Sequence, residues 1–236
     1  MMIRKTLCAC FPALAIVAAL PPDALASDAA HPTVVELFQS QGCSSCPPAA
    51  ANVMALSGRA DVLALSFAVD YWNRLGWKDT FSKPAWTARQ YAYAHAMGRD
   101  GVYTPQVVVN GRVEGDGLEP AELAGLIGSG DRGAGGPSVH FAGGAVSIGA
   151  GGAPAGGADV WLVRYDPRIV EVAVRRGENA GRTLPHKDVV HEMVLLGRWQ
   201  GAAESFPLPG GGQNLADAVI VQSVGEGPIL AAAKAN

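Results

Sequence analysis

Basic residues are few and scattered in this sequence, and charge of either sign is scarce. Charged side chains make up 17% of the 236 residues, the formal net charge is -3, and Lys and Arg form no cluster. Nucleic acids and anionic lipids attract proteins through a basic field, so the composition argues against both as partners. After the N-terminal region, no apolar run reaches the roughly 20 residues that a membrane-spanning helix needs. We therefore expect no membrane association once that region has been removed.

Cysteine is scarce too, which limits the metal and cofactor chemistry available to the chain. Cys8 and Cys10 lie near the N-terminus, and Cys43 and Cys46 form the single CxxC motif. A structural zinc site needs four ligands, and there is no second CxxC. Covalent haem attachment requires histidine directly after the second cysteine, where this chain has Pro47. We therefore expect no cofactor and no metal site.

Residues 1–26 have the pattern of a secretory signal peptide. Basic Arg4 and Lys5 precede an apolar stretch over residues 7–20, and Ala-Leu-Ala at residues 24–26 matches a small-x-small cleavage site. The pattern predicts a periplasmic or secreted protein, in a compartment where disulfides persist. The two early cysteines would be removed with the signal.

Residues 34–51 (VVELFQSQGCSSCPPAAA) predict a buried strand, a tight turn and a helix that opens at the CxxC motif. Pro47 and Pro48 suit the first helical turn, because the N–H groups that they lack would be unpaired there. The patterns that follow predict a strand, a helix, a strand, a hairpin at Asn110-Gly111 and a last helix. The strands are expected at residues 61–69, 107–109 and 112–114, the last two joined by the hairpin turn. The helices are expected at residues 82–97 and 119–127.

The order β, α, β, α, β, β, α, with CxxC at the first helix and Thr104-Pro105 before the third strand, resembles the thioredoxin fold over residues 33–130. Residues 131–137 form a glycine-rich linker and the best domain boundary. Seven or eight short β segments follow in residues 138–236. The sequence thus predicts a thioredoxin-like α/β domain followed by a mainly antiparallel, β-sandwich-like domain.

The CxxC motif suggests different chemical roles for its two sulfurs. At the start of a helix, N–H groups and the helix dipole stabilise a thiolate, so Cys43 is the expected nucleophile. Cys46 lies one turn further in and would be the more buried, resolving cysteine. Ser44 and Ser45 bring hydroxyl groups that would contact substrate or adjust thiolate stability. An inert structural disulfide between Cys43 and Cys46 stays open as the alternative.

The resemblance to thioredoxins implies further substrate-binding residues. Pro105 would be cis and face the cysteine pair, and the backbone at Thr104 would pair with an extended substrate segment. A trans proline that only starts a strand is the alternative. Trp72 follows the second strand and would wall a substrate groove or pack over the core.

Two other polar features each allow two interpretations. Glu36 is the one charge in an apolar strand, and is either a proton acceptor for Cys46 or, as we favour, a strand-edge or salt-bridged carboxylate. Residues 175–186 (RRGENAGRTLPH) form a polar loop whose Glu178, Asn179, Arg182 and His186 could contact the first domain, a ligand or a metal. A solvated loop is the interpretation that we favour on sequence grounds.

Four stretches, VVELFQSQGCSSCPP, VDYWNRLGWKD, YTPQVVVNG and VRYDPRIVEVAVRRGENAGRTLPHKDVVHEMVLLGRW, resemble the domain-of-unknown-function 1223 family of exported bacterial proteins. The family is described as thioredoxin-like and has no settled activity. We predict an exported thiol-disulfide oxidoreductase-like protein that acts on protein or small-molecule disulfides. A binding or assembly module with a structural disulfide is the alternative, and metal handling by the dithiol is a third.

Overall fold

The computed structural model describes residues 27–235, so the signal peptide predicted at residues 1–26 lies outside the described residues. In the first half, the predicted order of strands and helices is present. A 3-10 helix occupies part of the aromatic stretch that follows the second strand. The elements are β1 (Thr33–Gln39), α1 (Cys46–Met54), β2 (Val62–Ala68), the 3-10 helix (Tyr71–Leu75), α2 (Pro84–Ala96), β3 (Gln106–Val109), β4 (Val113–Gly115) and α3 (Pro120–Gly130).

The second half consists of strands, as the sequence predicted. The strand that the sequence did not predict is β9, which lies at the end of the stretch interpreted as a polar loop. The elements are β5 (Val139–Ala142), β6 (Ala145–Ile148), β7 (Ala158–Asp166), β8 (Val170–Ala173), β9 (Thr183–His186), β10 (Val189–Trp199), β11 (Glu204–Pro207), β12 (Ala216–Ser223) and β13 (Ile229–Lys234). Among residues 27–235, no helix has the length and hydropathy needed to cross a bilayer.

One sheet of eight strands runs through both halves, in the order β13-β12-β7-β10-β2-β1-β3-β4. β1 pairs parallel with β2 and antiparallel with β3. The halves join where Val189 of β10 lies opposite Ser66 of β2, and the Ser66 N–H donates to the Asp188 carbonyl oxygen at 2.8 Å. The expectation of a separate sandwich-like domain was therefore wrong. Without β10, β2 would be an edge strand with unpaired backbone groups, and the second half supplies its partner.

A sandwich is nevertheless present locally in the second half. A small sheet in the order β11-β6-β5 covers one face of the large sheet. Its Val146, Ile148 and Phe206 share a buried apolar cluster with residues of β7, β10, β12 and β13. The second half thus contains two packed sheets, one of which continues the sheet of the first half.

A buried ionic cluster connects α2 with both halves of the large sheet. The Arg89 Nε donates to the Glu36 carboxylate at 2.8 Å, and Tyr93 donates its hydroxyl to the same carboxylate. The Arg89 Nη2 also donates to the Gln222 side-chain oxygen on β12 at 2.9 Å. The ion-pair interpretation of Glu36 is confirmed. One of its carboxylate oxygens accepts from Arg89 and the other from Tyr93.

Candidate functional site

The CxxC turn connects the end of β1 with α1. The Cys43 N–H donates to the Ser40 carbonyl oxygen at 3.1 Å, and the Cys46 N–H to the Cys43 carbonyl oxygen at 3.3 Å. Ser45 precedes the first residue of the helix, and the prolines occupy the first turn as expected. Cys43 and Cys46 are joined as a disulfide, with their Cα atoms 5.5 Å apart. The turn therefore presents an oxidised pair at the N-terminus of a helix.

The segment before β3 lies against this pair. The Thr104-Pro105 peptide bond is cis, so the trans alternative was wrong. The Cys43 Sγ lies 3.7 Å from the Thr104 carbonyl oxygen, and the Ser45 hydroxyl lies 3.5 Å from the same oxygen. Trp72 donates its indole N–H to the Thr104 hydroxyl at 2.8 Å. The CxxC turn, the Thr104-Pro105 segment and Trp72 thus lie together, and Trp72 also packs against the main apolar core, which was its alternative interpretation.

The burial of the two cysteines differs from the expectation. Cys43 is 0% exposed and Cys46 1% exposed, so the predicted contrast between an accessible and a buried sulfur was wrong. Ser44 and Ser45 between them are exposed. A segment of the second half also contacts the turn.

That segment is the loop between β8 and β9, residues 174–182, which we call the latch loop. Asn179, fully buried, donates from its Nδ2 to the carbonyl oxygens of Gln41 at 3.0 Å and Cys43 at 2.8 Å. Arg182 in turn donates to the Asn179 side-chain oxygen at 2.7 Å. Most of this stretch is exposed, as the solvated-loop interpretation expects, but Glu178 and Asn179 contact the first half, as its alternative allowed.

Glu178 adds a charge to this contact. Its carboxylate accepts the Ser44 N–H at 3.0 Å and the Ser44 hydroxyl at 2.7 Å, and these bonds lower the pKa of Glu178. A carboxylate suits the positive end of α1. Glu178 thus ties the latch loop to the residue that follows Cys43.

The turn rests on polar residues that the sequence analysis did not single out. Buried Asp79 accepts the N–H groups of Gln41 at 2.7 Å and Phe81 at 2.9 Å, while burial raises the pKa of its carboxyl group. The Gln41 side-chain oxygen accepts the Trp77 indole N–H at 3.0 Å. In the sequence, Asp79 follows Trp72 and Trp77 closely, and this was the local pattern that could have indicated its role. These bonds fix the backbone of the turn from below.

His186 lies at the end of β9, and its imidazole is buried against the edge of the Phe81 ring, with centroids 5.4 Å apart. Burial lowers the pKa of His186 to about 4. Within residues 27–235, no group of three or more His, Cys, Asp or Glu side chains is arranged to hold a metal ion.

The lowered pKa predicts a pH-dependent stability. Between pH 6.5 and about pH 4 the unfolded chain binds a proton at His186 that the folded protein does not bind. The free energy of unfolding should therefore fall with decreasing pH, by about 1.4 kcal/mol per pH unit from this group. Urea unfolding at several pH values should show a shallower dependence for His186→Gln. Equal slopes for the two proteins would contradict the assignment.

Comparisons with known proteins agree with the family resemblance of the four stretches noted in the sequence. The model of a family described as "Protein of unknown function (DUF1223)" matches residues 34–222. A protein of Agrobacterium tumefaciens with a solved crystal structure is 34% identical, covering 86% of this chain and 92% of its own, with a TM-score of 0.72. None of the curated proteins matches the chain.

A second solved structure, HBP35 of Porphyromonas gingivalis, is 14% identical and covers 87% of this chain and 74% of its own, with a TM-score of 0.52. At this identity the likeness concerns the fold alone. The family match spans most of the chain, including the CxxC turn, the Thr104-Pro105 segment and the latch loop. The chain therefore belongs to the DUF1223 family.

Proposed function

We propose that the protein is an exported thiol-disulfide exchange protein with a thioredoxin-like core, in which Cys43 and Cys46 form the reactive pair. The placement of Cys43 carries the proposal. Its Sγ lies 3.7 Å from the Thr104 carbonyl oxygen, beside the backbone where an extended substrate would pair. The strand order β2-β1-β3-β4 and the CxxC turn at the start of α1 support the thioredoxin-like description.

The exchange requires no group beyond the cysteine pair and a substrate dithiol or disulfide. A substrate thiolate attacks the Cys43 Sγ, the Cys43–Cys46 bond breaks, and Cys46 leaves as a thiolate that takes up a proton. The second substrate thiol, deprotonated, then attacks the mixed disulfide and releases Cys43. Two electrons pass from the substrate dithiol to the protein, and the reverse sequence oxidises the protein and reduces a substrate disulfide.

The latch loop makes this exchange conditional. Cys43 is buried, and Glu178 and Asn179 bond to the backbone of the turn on both sides of it, so we expect a substrate to reach the sulfur only after these bonds have opened. We infer that the loop is displaced by, or competes with, the substrate segment. The binding surface of Ser44, Ser45, Trp72, Thr104 and Pro105 would then become available.

A structural disulfide is the rival function, and the burial of both cysteines is the observation that favours it. In that case the second half would recognise a partner while the bond only stiffens the turn. Structural disulfides of secreted proteins typically have reduction potentials below about -300 mV. Reactive disulfides lie at higher potentials.

Equilibration with glutathione buffers separates the two functions. We expect a reduction potential above about -300 mV for the purified protein, measured by alkylation of free thiols and mass spectrometry. Cys46→Ser should accumulate a mixed disulfide on Cys43 with oxidised glutathione, because no second sulfur can resolve it. Cys43→Ser is the matched control and should form no such adduct. A potential below that level, without an adduct on Cys46→Ser, would establish the structural role.

A further inference from the structure

A groove between α2 and the large sheet lies apart from the cysteine pair. It encloses about 370 Å³, a volume within the range typical of small-molecule sites. Its walls come from α2, from Trp161 on β7, from Met193 on β10 and from Glu226 in the turn between β12 and β13. None of the described residues that line it belongs to the CxxC turn, the Thr104-Pro105 segment or the latch loop. The groove is therefore a candidate site of its own.

Small side chains on α2 keep the groove open. Ala85, Ala88 and Ala92 are spaced by three and four positions, so they share one face of the helix. Across the groove, Trp161 pairs in register with Leu195, whose apolar side chain is 48% exposed. Residues that pair across two antiparallel strands point to the same face of a sheet. The groove and its rim thus fit an apolar body such as an aromatic ring.

Arg89, at the groove, has hydrogen-bonding capacity that the protein does not use. The residue is 6% exposed, and its Nε and Nη2 donate to Glu36, Tyr93 and Gln222. Its Nη1 donates to no group among residues 27–235. It lies 3.7 Å from a Glu226 carboxylate oxygen, which is beyond hydrogen-bond distance. One nitrogen of a nearly buried guanidinium is therefore available to an acceptor from outside the protein.

The Glu226 carboxylate is also without a hydrogen-bond donor. It accepts no hydrogen bond from the part of the chain that the structure describes, and burial raises its pKa. Its backbone has a φ of 52°, a conformation that is uncommon for residues with a side chain and that glycine adopts without strain. The turn itself therefore gives no reason for a glutamate at this position. A ligand that donates to the carboxylate would give one.

The two signs of charge restrict the chemistry of such a ligand. An ammonium group at this place would approach the Arg89 guanidinium. A carboxylate would approach Glu226, while Glu36 is also bound to Arg89. An amide meets neither repulsion, because its carbonyl oxygen accepts a hydrogen bond and its N–H donates one. It suits a guanidinium and a carboxylate that lie close together without bonding to each other.

We propose that this groove binds a small apolar or aromatic molecule that carries one amide group. The amide oxygen accepts a hydrogen bond from the Arg89 Nη1, and the amide N–H donates to the Glu226 carboxylate. The apolar body lies between the alanines of α2 and Trp161. The site is separate from the cysteine pair, and its occupation does not depend on whether the disulfide exchanges.

Three probes that share one ring test the head group. Phenylacetamide is neutral, phenylacetate is an anion and phenethylamine is a cation at neutral pH. Ligand-observed NMR titrations with the purified mature protein should give a Kd of about 1 mM for the amide, as expected for a fragment of this size. Both ions should bind at least about tenfold more weakly. Absence of amide binding, or binding of either ion that is as tight, would overturn the proposal.

Glu226→Gly removes the acceptor without straining the turn, because glycine adopts a positive φ freely. The variant should fold as the wild type does and bind phenylacetamide at least about tenfold more weakly. Asn214→Gly is the matched control, since Asn214 also has a positive φ, of 64°, but is exposed in another loop and does not line the groove. It should keep the wild-type affinity. Wild-type affinity in Glu226→Gly would contradict the role of the carboxylate and overturn the proposal.

Ala88→Leu tests the location of the site without touching the charged pair. Ala88 is exposed on α2, and leucine is a good helix former, so the larger side chain should fill the groove without unfolding the helix. Phenylacetamide binding should weaken at least about tenfold. Ala121→Leu, at an exposed position of α3 that does not line the groove, should bind as the wild type does. Unchanged binding in Ala88→Leu would place the amide elsewhere and overturn the proposal.

Discussion

Replacing Asn179 with alanine is expected to increase the rate at which dithiothreitol reduces the Cys43–Cys46 disulfide by about 30-fold. Asn179 donates two hydrogen bonds that hold the latch loop on the turn, and its loss leaves the Gln41 and Cys43 carbonyl oxygens buried without those donors. Leaving such groups unsatisfied costs roughly 1–3 kcal/mol. If the disulfide reacts only while the loop is open, about 2 kcal/mol of easier opening corresponds to this change in rate.

Asn52→Ala is the matched control for this measurement. The Asn52 Nδ2 also donates to two backbone oxygens, of Gly117 at 3.0 Å and Leu118 at 2.8 Å, but these lie in the segment that leads into α3. The control should lose a similar amount of stability without faster reduction of the disulfide. Wild-type reduction rates in both variants, followed by quenched alkylation, would mean that Cys43 reaches solvent without movement of Asn179.

The second large effect concerns the ionic cluster beneath α2. Arg89→Ala should lower the free energy of unfolding by roughly 3–5 kcal/mol, because the Glu36 carboxylate would stay buried without its cation. Both side chains of the pair are at most 5% exposed. Urea unfolding with a fluorescence readout measures the loss.

Arg198→Ala provides the comparison, since Arg198 pairs with Asp159 at 2.9 Å while half-exposed to solvent. Solvent-exposed ion pairs contribute about 0–1 kcal/mol, so this variant should stay within about 1 kcal/mol of the wild type. If Arg89→Ala lost no more stability than Arg198→Ala, the buried pair would not be the support that its geometry indicates.

Local patterns in the sequence were sufficient for the first half. Strands and helices in residues 33–130 follow from apolar periodicity and from turn residues such as Asn110 and Gly111, which both have a positive φ. The resemblance to thioredoxins placed Thr104 and Pro105 at the cysteine pair. The continuous apolar run of β2 (VLALSFA) was also a signal, because strands buried on both faces lie inside a sheet. It indicated that both faces of β2 are covered, but not that β10 would pair with its second edge.

The contact between the latch loop and the site could not be predicted in the same way. Glu178 and Asn179 lie in a glycine-flanked polar stretch, and the residues that they contact are 134 to 138 positions away along the chain. A segment of this composition has the same local pattern whether it is solvated or docked. The position of His186 against Phe81 has the same origin, because it depends on where β9 packs and β9 has only four residues.

The apolar core shared by the two halves determines which truncations of the chain can fold. Phe38 and Phe67 of the first half and Val163 and Val190 of the second belong to one buried cluster. A chain ended at residue 130 would present those aromatic rings to water and leave β2 as an open edge, which favours self-association. The CxxC turn and the latch loop therefore fold as one unit, and the role of the second half has to be studied by point substitutions in the latch loop rather than by deletion.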